Sequence, residues 1–533
     1  MNLQHIAFPG SRFVWPVVLL ATVVFGLFLG PTINQDSLFG LFVARDFHAG
    51  APWNHLFFPD PAELAQTRSA FVAWWAPAQW LIPDQLHQAG LPLGWALTVT
   101  SVVALFGGLV GWARLYRALG YAERTVAGSL IVLVLSVHFW RRLAEYHGGE
   151  VLLFAGLPWI VLGALRAGDG VRALWLLPPL FLLGGFVKLS FSISALAIVA
   201  FLWAKDHLSR PFTRGSARAA AVLGASFLVF YALFRATYLS RGITPDACEG
   251  ARRWVEPLFM PGGPISFLIA GQQLSGRFIG ELSSPAELLW GVIAGALGLA
   301  LIVFGARHAP NPTARAAVIT FCGINISAMA FLTWRGDRVW FIDRMFLPAG
   351  LVLLPALVHV VVDHGSSIAR WVIIAVLAGG SVYSVAHATQ YVRWMRRSTA
   401  PSPQHVRHLG LDEDGMKNWR ALSSPAPADA TVFFIDPASA SLALEWPNWR
   451  AYVPEYAAIC GMIDGGPRLL RGRPSALRIV AFDHSPAEYR ADHARARFAD
   501  VPVSTWQRTT IDRVVMWQSL APQAVAGAAA ANK

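Results

Sequence analysis

Three places in the chain hold residues whose types and spacing could do chemistry. The first is Asn34-Gln35-Asp36-Ser37-Leu38-Phe39-Gly40-Leu41-Phe42-Val43-Ala44-Arg45-Asp46, directly after the apolar run Phe13–Gly30. A carboxylate where a chain leaves the bilayer is partly desolvated and lies beside lipid headgroups. That suits Asp36 as a general base acting on a lipid-borne substrate. Leu38, Leu41 and Phe42 share one helical face, which predicts a short helix lying in the membrane surface. Asp36 could equally cap that helix, and taken alone the cap is the commoner role for Asp. Ten residues of helix leave Asp36 and Asp46 roughly 80° apart, so they do not form one stripe. The second place is Lys188, in Gly184-Gly185-Phe186-Val187-Lys188-Leu189-Ser190. An ionisable residue at membrane depth is a functional candidate by default, and snorkelling to the interface is its simpler account. The third is Arg141-Arg142-Leu143-Ala144-Glu145-Tyr146-His147-Gly148-Gly149-Glu150. Glu145 and Glu150 could join a site and His147 could bind a metal, but the spacing matches no metal motif, and a structural ion-pair turn is the stronger reading. His48 and His55 are lone histidines and weak ligand candidates.

The elements that position these residues follow from composition. The chain has 533 residues, 55% of them apolar and only 14% charged, with a mean hydropathy of +0.47. Soluble proteins carry roughly 25% charged residues. A disordered chain, a coiled coil and an ordinary cytosolic enzyme are excluded; a mainly α, polytopic membrane protein with some soluble mass is indicated. The net charge of +12 fits loops facing anionic lipid better than nucleic-acid binding. Three cysteines exclude a disulfide scaffold and a cysteine metal cluster, and 22 tryptophans suit interfacial belts.

Eleven charge-free apolar runs predict about eleven spans: Phe13–Gly30, Pro92–Ala113, Thr125–Trp140, Val151–Leu165, Ala173–Val187, Leu189–Ala204, Ala219–Phe234, Leu288–Ala306, Ala316–Trp334, Met345–Val362 and Trp371–Val392. The pair flanking Lys188 could be one broken or re-entrant element. Phe13–Gly30 reads as a retained first helix, since no small-residue cleavage site follows it. Cations crowd the short loops of one side, which places the N-terminus in the cytoplasm and, with eleven spans, the C-terminus in a bacterial periplasm. Residues 1–392 then form the membrane domain, with large outer loops at 31–91 and 235–287. Residues 393–520 form a small α/β domain, with strands at Thr431–Ile435, Leu477–Ala481 and Arg513–Trp517 and a helix at Pro486–Phe498. Residues 521–533 are an Ala-rich disordered tail. Arg241, Arg252 and Arg253 read as a solvated or headgroup-facing set. Cys248 and Cys460 both fall outside, where a disulfide is permitted but not indicated, and Cys322 packs inside a span.

The first loop resembles that of the GT-C glycosyltransferases, especially relatives of protein O-mannosyltransferase and lipid A aminoarabinose transferase. Those enzymes carry an acid after the first helix, an aromatic, an Ala-Arg-acid triplet, then Gly and Trp. Here these are Asp36, Phe39, Ala44-Arg45-Asp46, Gly50 and Trp53. Trp74-Trp75-Ala76-Pro77-Ala78-Gln79-Trp80-Leu81 resembles the family's Pro-rich segment, Gly90-Leu91-Pro92 its entry to the second helix, and Arg117-Ala118-Leu119-Gly120 that helix's far end. Arg344, Phe346 and Pro348, within Arg335–Pro348, match an Arg-Tyr-x-x-Pro entry into a late helix. Many relatives have Asp-Glu where this chain has Asp36-Ser37, and the lysine often found in the Pro-rich segment is absent.

The resemblance implies a polyprenyl-phosphate sugar donor and transfer to an envelope glycan, lipid or protein at the periplasmic face of a bacterial inner membrane. Asp36 would deprotonate the acceptor hydroxyl, which attacks the anomeric carbon with inversion. Asp46 would act as a second acid, orient Arg45, or help bind a metal. Arg45, Arg338, Arg344 and Lys188 would bind the donor phosphate, the arginines through the planar guanidinium fork; Arg338 and Arg344 also read as interfacial anchors. Glu145, His147, Glu150 and Asp343 are accessory candidates. No cofactor is certain, and a divalent metal is left open. A transporter or flippase of lipid-linked saccharide is the alternative, and a non-catalytic assembly or export component a third. Transport needs a polar path across the whole bilayer, whereas the candidate ionisable residues concentrate on one side.

Overall fold

The computed structural model describes residues 33, 35–73, 75–136, 139, 146, 148–242, 254–269, 285–335, 343–363, 368–409, 411–423, 430–435, 437–445, 449–452, 470–474, 476–482, 495 and 497–519. The run Phe13–Gly30, the tail 521–533, Cys248, Cys460, Arg252, Arg253 and most of Pro486–Phe498 lie outside these residues.

The chain begins with helix α1 (Gln35–His48), then a hairpin of β1 (His55–Pro59) and β2 (Thr67–Phe71), then helix α2 (Ala78–Gln88). The bundle follows: α3 (Leu93–Ala118), α4 (Glu123–Val134), α5 (Gly149–Ala167), α6 (Ala173–Val187), α7 (Phe191–His207), α8 (Arg214–Thr237), short α9 (Gly263–Ile269), α10 (Pro285–Arg307), α11 (Pro312–Arg335), α12 (Leu347–Asp363) and α13 (Ile368–Ser398). Seven helices among the described residues are long and apolar enough to cross a membrane. The chain is a multi-pass membrane protein. Every expected run after the first falls on a helix, but α4, α6 and α7 are shorter than the 18 residues of a spanning window. The other helices outrun their apolar stretches because charged residues such as Arg117, Arg214 and Arg335 join their end turns.

Local chemistry sets these boundaries. Helix α3 follows Pro92 and stops at Ala118, two residues before Gly120, whose φ of +86° suits glycine. Thr213 and Ser216 form a reciprocal capping box at the start of α8. Helices α3 and α5 approach closely because glycines face each contact: a Cβ on Gly108 would lie 2.4 Å from Phe154 Cδ1, and one on Gly111 2.7 Å from Pro158 Cγ. Trp175, Leu183, Trp290 and Trp371 project outward as exposed apolar groups, as a lipid-facing surface requires.

After α13 comes a hairpin of β3 (Thr399–Pro401) and β4 (Arg407–Leu409), then α14 (Glu413–Ser423). A five-stranded mixed sheet follows, built from β5 (Thr431–Phe434), β6 (Arg450–Tyr452), β7 (Leu477–Phe482), β8 (Trp506–Ile511) and β9 (Val514–Ser519) in the order β6-β5-β7-β9-β8. Strand β5 runs parallel to both neighbours; β7–β9 and β9–β8 are antiparallel. Val432, Phe434, Ile479, Val480 and Val515 are buried in it. Helix α15 (Pro437–Ala440) and the 3-10 turn Ser441–Glu445 pack on α1.

The sheet region is fastened to the rest at several seams. The Leu64 amide donates to Arg471 O (2.7 Å) and the Arg471 amide to Pro61 O (3.2 Å). Thr67 Oγ1 and Tyr452 OH are 2.7 Å apart. The amides of Leu93 and Gly94 donate to Gln404, at Oε1 (3.3 Å) and O (2.7 Å), so the β3–β4 turn caps α3 from a distance.

Candidate active site

Helix α1 is not the surface helix that its sequence predicts. Residues 37–44 are all buried, because β1, α2, α15 and the 441–445 turn cover it. The helix begins at Gln35, so Asp36 falls inside its first turn and not at the cap; the Asp36 side chain lies outside the described residues. Phe39 stacks on Trp75 (centroids 4.2 Å apart), and a Cβ on Gly40 would sit 3.3 Å from Trp80 Cβ. The face bearing these two residues is turned to the entry of α2.

The entry of α2 leads to the ends of three bundle helices. Gln79 Nε2 donates to Val187 O at 3.3 Å, and the Tyr146 hydroxyl donates to Gln79 O. Gly148 adopts φ +67°, and a Cβ on Gly149 would lie 2.7 Å from Gln79 Nε2 and 3.1 Å from Val187 O. This glycine pair lets the first turn of α5 meet both α2 and the end of α6. Glu150, in that first turn, is buried. A carboxylate there is favoured by the helix dipole. Its Oε1 accepts from Lys188 Nζ at 2.5 Å and lies 3.1 Å from Arg344 Nη1. Lys188 stands where α6 stops in extended backbone, and Arg344 in the 3-10 turn Asp343–Phe346 before α12. Two cations therefore share one buried carboxylate. Burial and the nearby Glu150 push the Tyr146 phenol well up, so it serves as a donor.

At the far end of α1 the arrangement differs. Asp46 is buried; its Oδ1 accepts from Arg45 Nε (2.9 Å) and Nη2 (2.6 Å), and its Oδ2 from the Phe57 amide (2.8 Å). Burial raises its carboxyl above the ordinary range, with Arg45 and the amide offsetting part of that. Arg45 also donates to Ala451 O on β6 (2.8 Å) and lies over the Phe42 ring at 4.1 Å.

No family model matches the chain, and no curated protein matches it in sequence. Solved structures do. ArnT from Cupriavidus metallidurans, bound to undecaprenyl phosphate, matches with a TM-score of 0.51 at 12% identity, over 96% of this chain and 99% of that one. Its apo form matches equally, over 98% of that chain. The arabinofuranosyltransferase AftD from Mycobacteria matches at 0.48 and 14% identity, over 96% of this chain and 42% of the other. This is the GT-C fold.

Within this GT-C fold the sequence-level candidates separate. Lys188, Arg344 and Glu150 meet. Arg45, grouped with Lys188 and Arg344 on sequence, instead turns to Asp46 and the sheet, because both lie within reach of its fork. Of the three readings of Asp46, orienting Arg45 fits, since both carboxylate oxygens are already taken. Arg338, Glu145 and His147, and the Asp343 side chain, lie outside the described residues. Among the described residues no group of three or more His, Cys, Asp or Glu could hold a metal ion. His48 pairs with Asp84 (2.9 Å), and His55 Nδ1 contacts Trp53 O. Cys322 is buried against Ala349 O.

Sequence reasoning missed Asn54, Gln79 and Tyr146 as organisers. Asn54, at φ +58°, donates to Val72 O (2.7 Å) and Tyr238 OH (3.1 Å) and accepts from Trp80 Nε1 (2.9 Å), tying the hairpin to α2 and α8. The signal for the ion-pair site was Gly148-Gly149 before Glu150, a pair that marks close backbone approach at a helix start.

Proposed function

We propose that the chain is a membrane glycosyltransferase that moves a sugar from a polyprenyl-phosphate donor to an envelope glycan, lipid or protein. The reaction takes place at the periplasmic face of a bacterial inner membrane, with the N-terminus cytoplasmic and the sheet region periplasmic. The observation that carries this reading is the convergence of Lys188 and Arg344 on Glu150, at the same end of the bundle as α1 and α2. Glu150 holds both cations in place, and cations so placed suit a phosphate. The fold shared with an ArnT structure that binds undecaprenyl phosphate supports the same donor class.

Asp36 removes the acceptor hydroxyl proton as the oxygen attacks the anomeric carbon with inversion. The bond from that carbon to the lipid phosphate breaks, and the phosphate leaves with its electron pair toward Lys188 and Arg344. Tyr146 and Gln79 hold the first turn of α5 against α2 and keep Glu150 in register.

The test compares purified wild type with Asp36→Asn and Arg344→Met across a panel of polyprenyl-phosphate sugars. Asp36→Asn is expected to lose roughly 100-fold or more in turnover with donor binding retained, the span of general-base catalysis. Arg344→Met is expected to lose donor affinity. Wild type that turns over no donor, or Asp36→Asn with unchanged turnover, removes this reading.

A further inference from the structure

We infer that Arg45 and Asp46 are positioning residues: they carry the seating of the C-terminal sheet into the helix that bears Asp36. The inference rests on the glycosyl-transfer reading for its kinetic consequence, but its structural half stands alone.

The geometry is specific. Asp46 and Arg45 both lie at the C-terminal end of α1, ten residues from Asp36 or about 15 Å along a helix. Asp46 ties this end to the hairpin through the Phe57 amide; Arg45 ties it to the sheet through Ala451 O. The same hairpin and sheet meet a second time where Arg450 Nε and Nη2 donate to Thr67 Oγ1 (3.0 and 2.9 Å), which also meets Tyr452 OH. Burial raises the Tyr452 phenol, so it remains a hydrogen-bonding hydroxyl. Helix α1, the hairpin that follows it and a strand 406 residues on thus converge on one guanidinium–carboxylate pair.

Most of that pair's polar atoms are engaged within the protein. Asp46 has both oxygens engaged; Arg45 has Nε and Nη2 engaged and a ring beneath its face. Its Nη1 is buried without a hydrogen-bond partner among the described residues. A charge pair removed from water costs more than apolar packing would, and what it gives in return is a fixed geometry. Helix α1 is continuous from Gln35 to His48. A tilt at the Arg45 end is therefore delivered at the Asp36 end, where a misplacement of about 1 Å can cost on the order of 100-fold in rate.

The experiment uses the full-length protein in lipid nanodiscs with Arg45→Lys, Arg45→Met, Asp46→Asn and the double variant. Steady-state kinetics is combined with undecaprenyl-phosphate binding and hydrogen exchange. The expected result is a turnover loss of 10- to 100-fold in each single variant, no additive loss in the double variant, and lipid-phosphate affinity within twofold of wild type. Arg45→Lys keeps the charge but loses the fork, and is expected not to rescue. Exchange is expected to rise in residues 35–48 and 450–452 and to stay unchanged in α3 and α5. Loss of lipid-phosphate affinity in Arg45→Met would make Arg45 a phosphate ligand and overturn the inference. So would unchanged turnover, or exchange that rises evenly through the bundle. If wild type itself is inactive, the glycosyl-transfer reading fails, and the localised exchange pattern still decides whether the latch exists.

Discussion

Two buried carboxylates lie in the same half of this molecule and do different work. Glu150 faces two cations; Asp46 faces one cation and one backbone amide. Among the described residues the first group sets two cations against one carboxylate, the second one against one. Lys188 and Arg344 come from two separate helix ends, whereas Arg45 is the residue next to Asp46. On the proposed function, the contrast separates a site that receives an anion from a joint that holds segments together. Burial alone does not make the distinction; the count of charges and the elements that supply them do.

The comparison can be broken by ligand response. Glu150→Gln leaves Lys188 and Arg344 facing each other and is expected to cost about 3–5 kcal/mol, the penalty for breaking a buried pair. Thermal unfolding should show the loss in the empty protein and a larger gain on adding undecaprenyl phosphate than wild type shows, because the ligand replaces the missing negative charge. Asp46→Asn should show the wild-type gain. Equal gains in all three proteins would erase the contrast. Next in size, Arg344→Met is expected to weaken undecaprenyl-phosphate binding roughly 10- to 100-fold, the worth of a charge-assisted hydrogen bond of about 1.5–3 kcal/mol. Arg45→Met should leave that affinity alone.

The pH dependence sharpens it further. Because burial raises the Asp46 carboxyl, the folded chain holds that proton to a higher pH than the unfolded chain does. Its contribution to stability therefore falls as pH rises from the ordinary value of 3.8 through the raised folded value. Unfolding midpoints of wild type minus Asp46→Asn should grow as pH is lowered through that window; a flat difference contradicts the raised carboxyl. The smallest effect is expected for Tyr452→Phe, which loses one partly buried hydrogen bond worth about 1 kcal/mol and should loosen only the hairpin–sheet seam in hydrogen exchange.

Much of the bundle was legible because apolar length and helix coincide: Ala173–Val187 matches its helix at both ends, and Lys188 breaks the chain where its charge interrupts the run. Strands at 431, 477 and 514 were legible from β-branched runs. The first-loop hairpin was not, since Thr67-Arg68-Ser69-Ala70-Phe71 shows a polar, exposed strand without alternation. Nor was the burial of α1. Its face pattern fits a membrane surface as well as a protein one, and part of its cover, α15 and the turn after it, comes nearly 400 residues later. Glu150 was named only as an accessory, because the meeting of residues 150, 188 and 344 is a property of three helix ends and leaves no spacing in the chain.

The cap that Gln404 places on α3 has a consequence in time. Leu93 and Gln404 are 311 residues apart, so during synthesis at roughly 5–20 residues per second the first turn of that helix waits about 15–60 s for its partner. The helix must enter the bilayer with its first amides satisfied by water or headgroups, and exchange that solvation for protein only when the last quarter of the chain arrives. Completion of the bundle is thus a late, post-insertion event, and a chain cut short before residue 404 carries an unfinished helix end into the membrane.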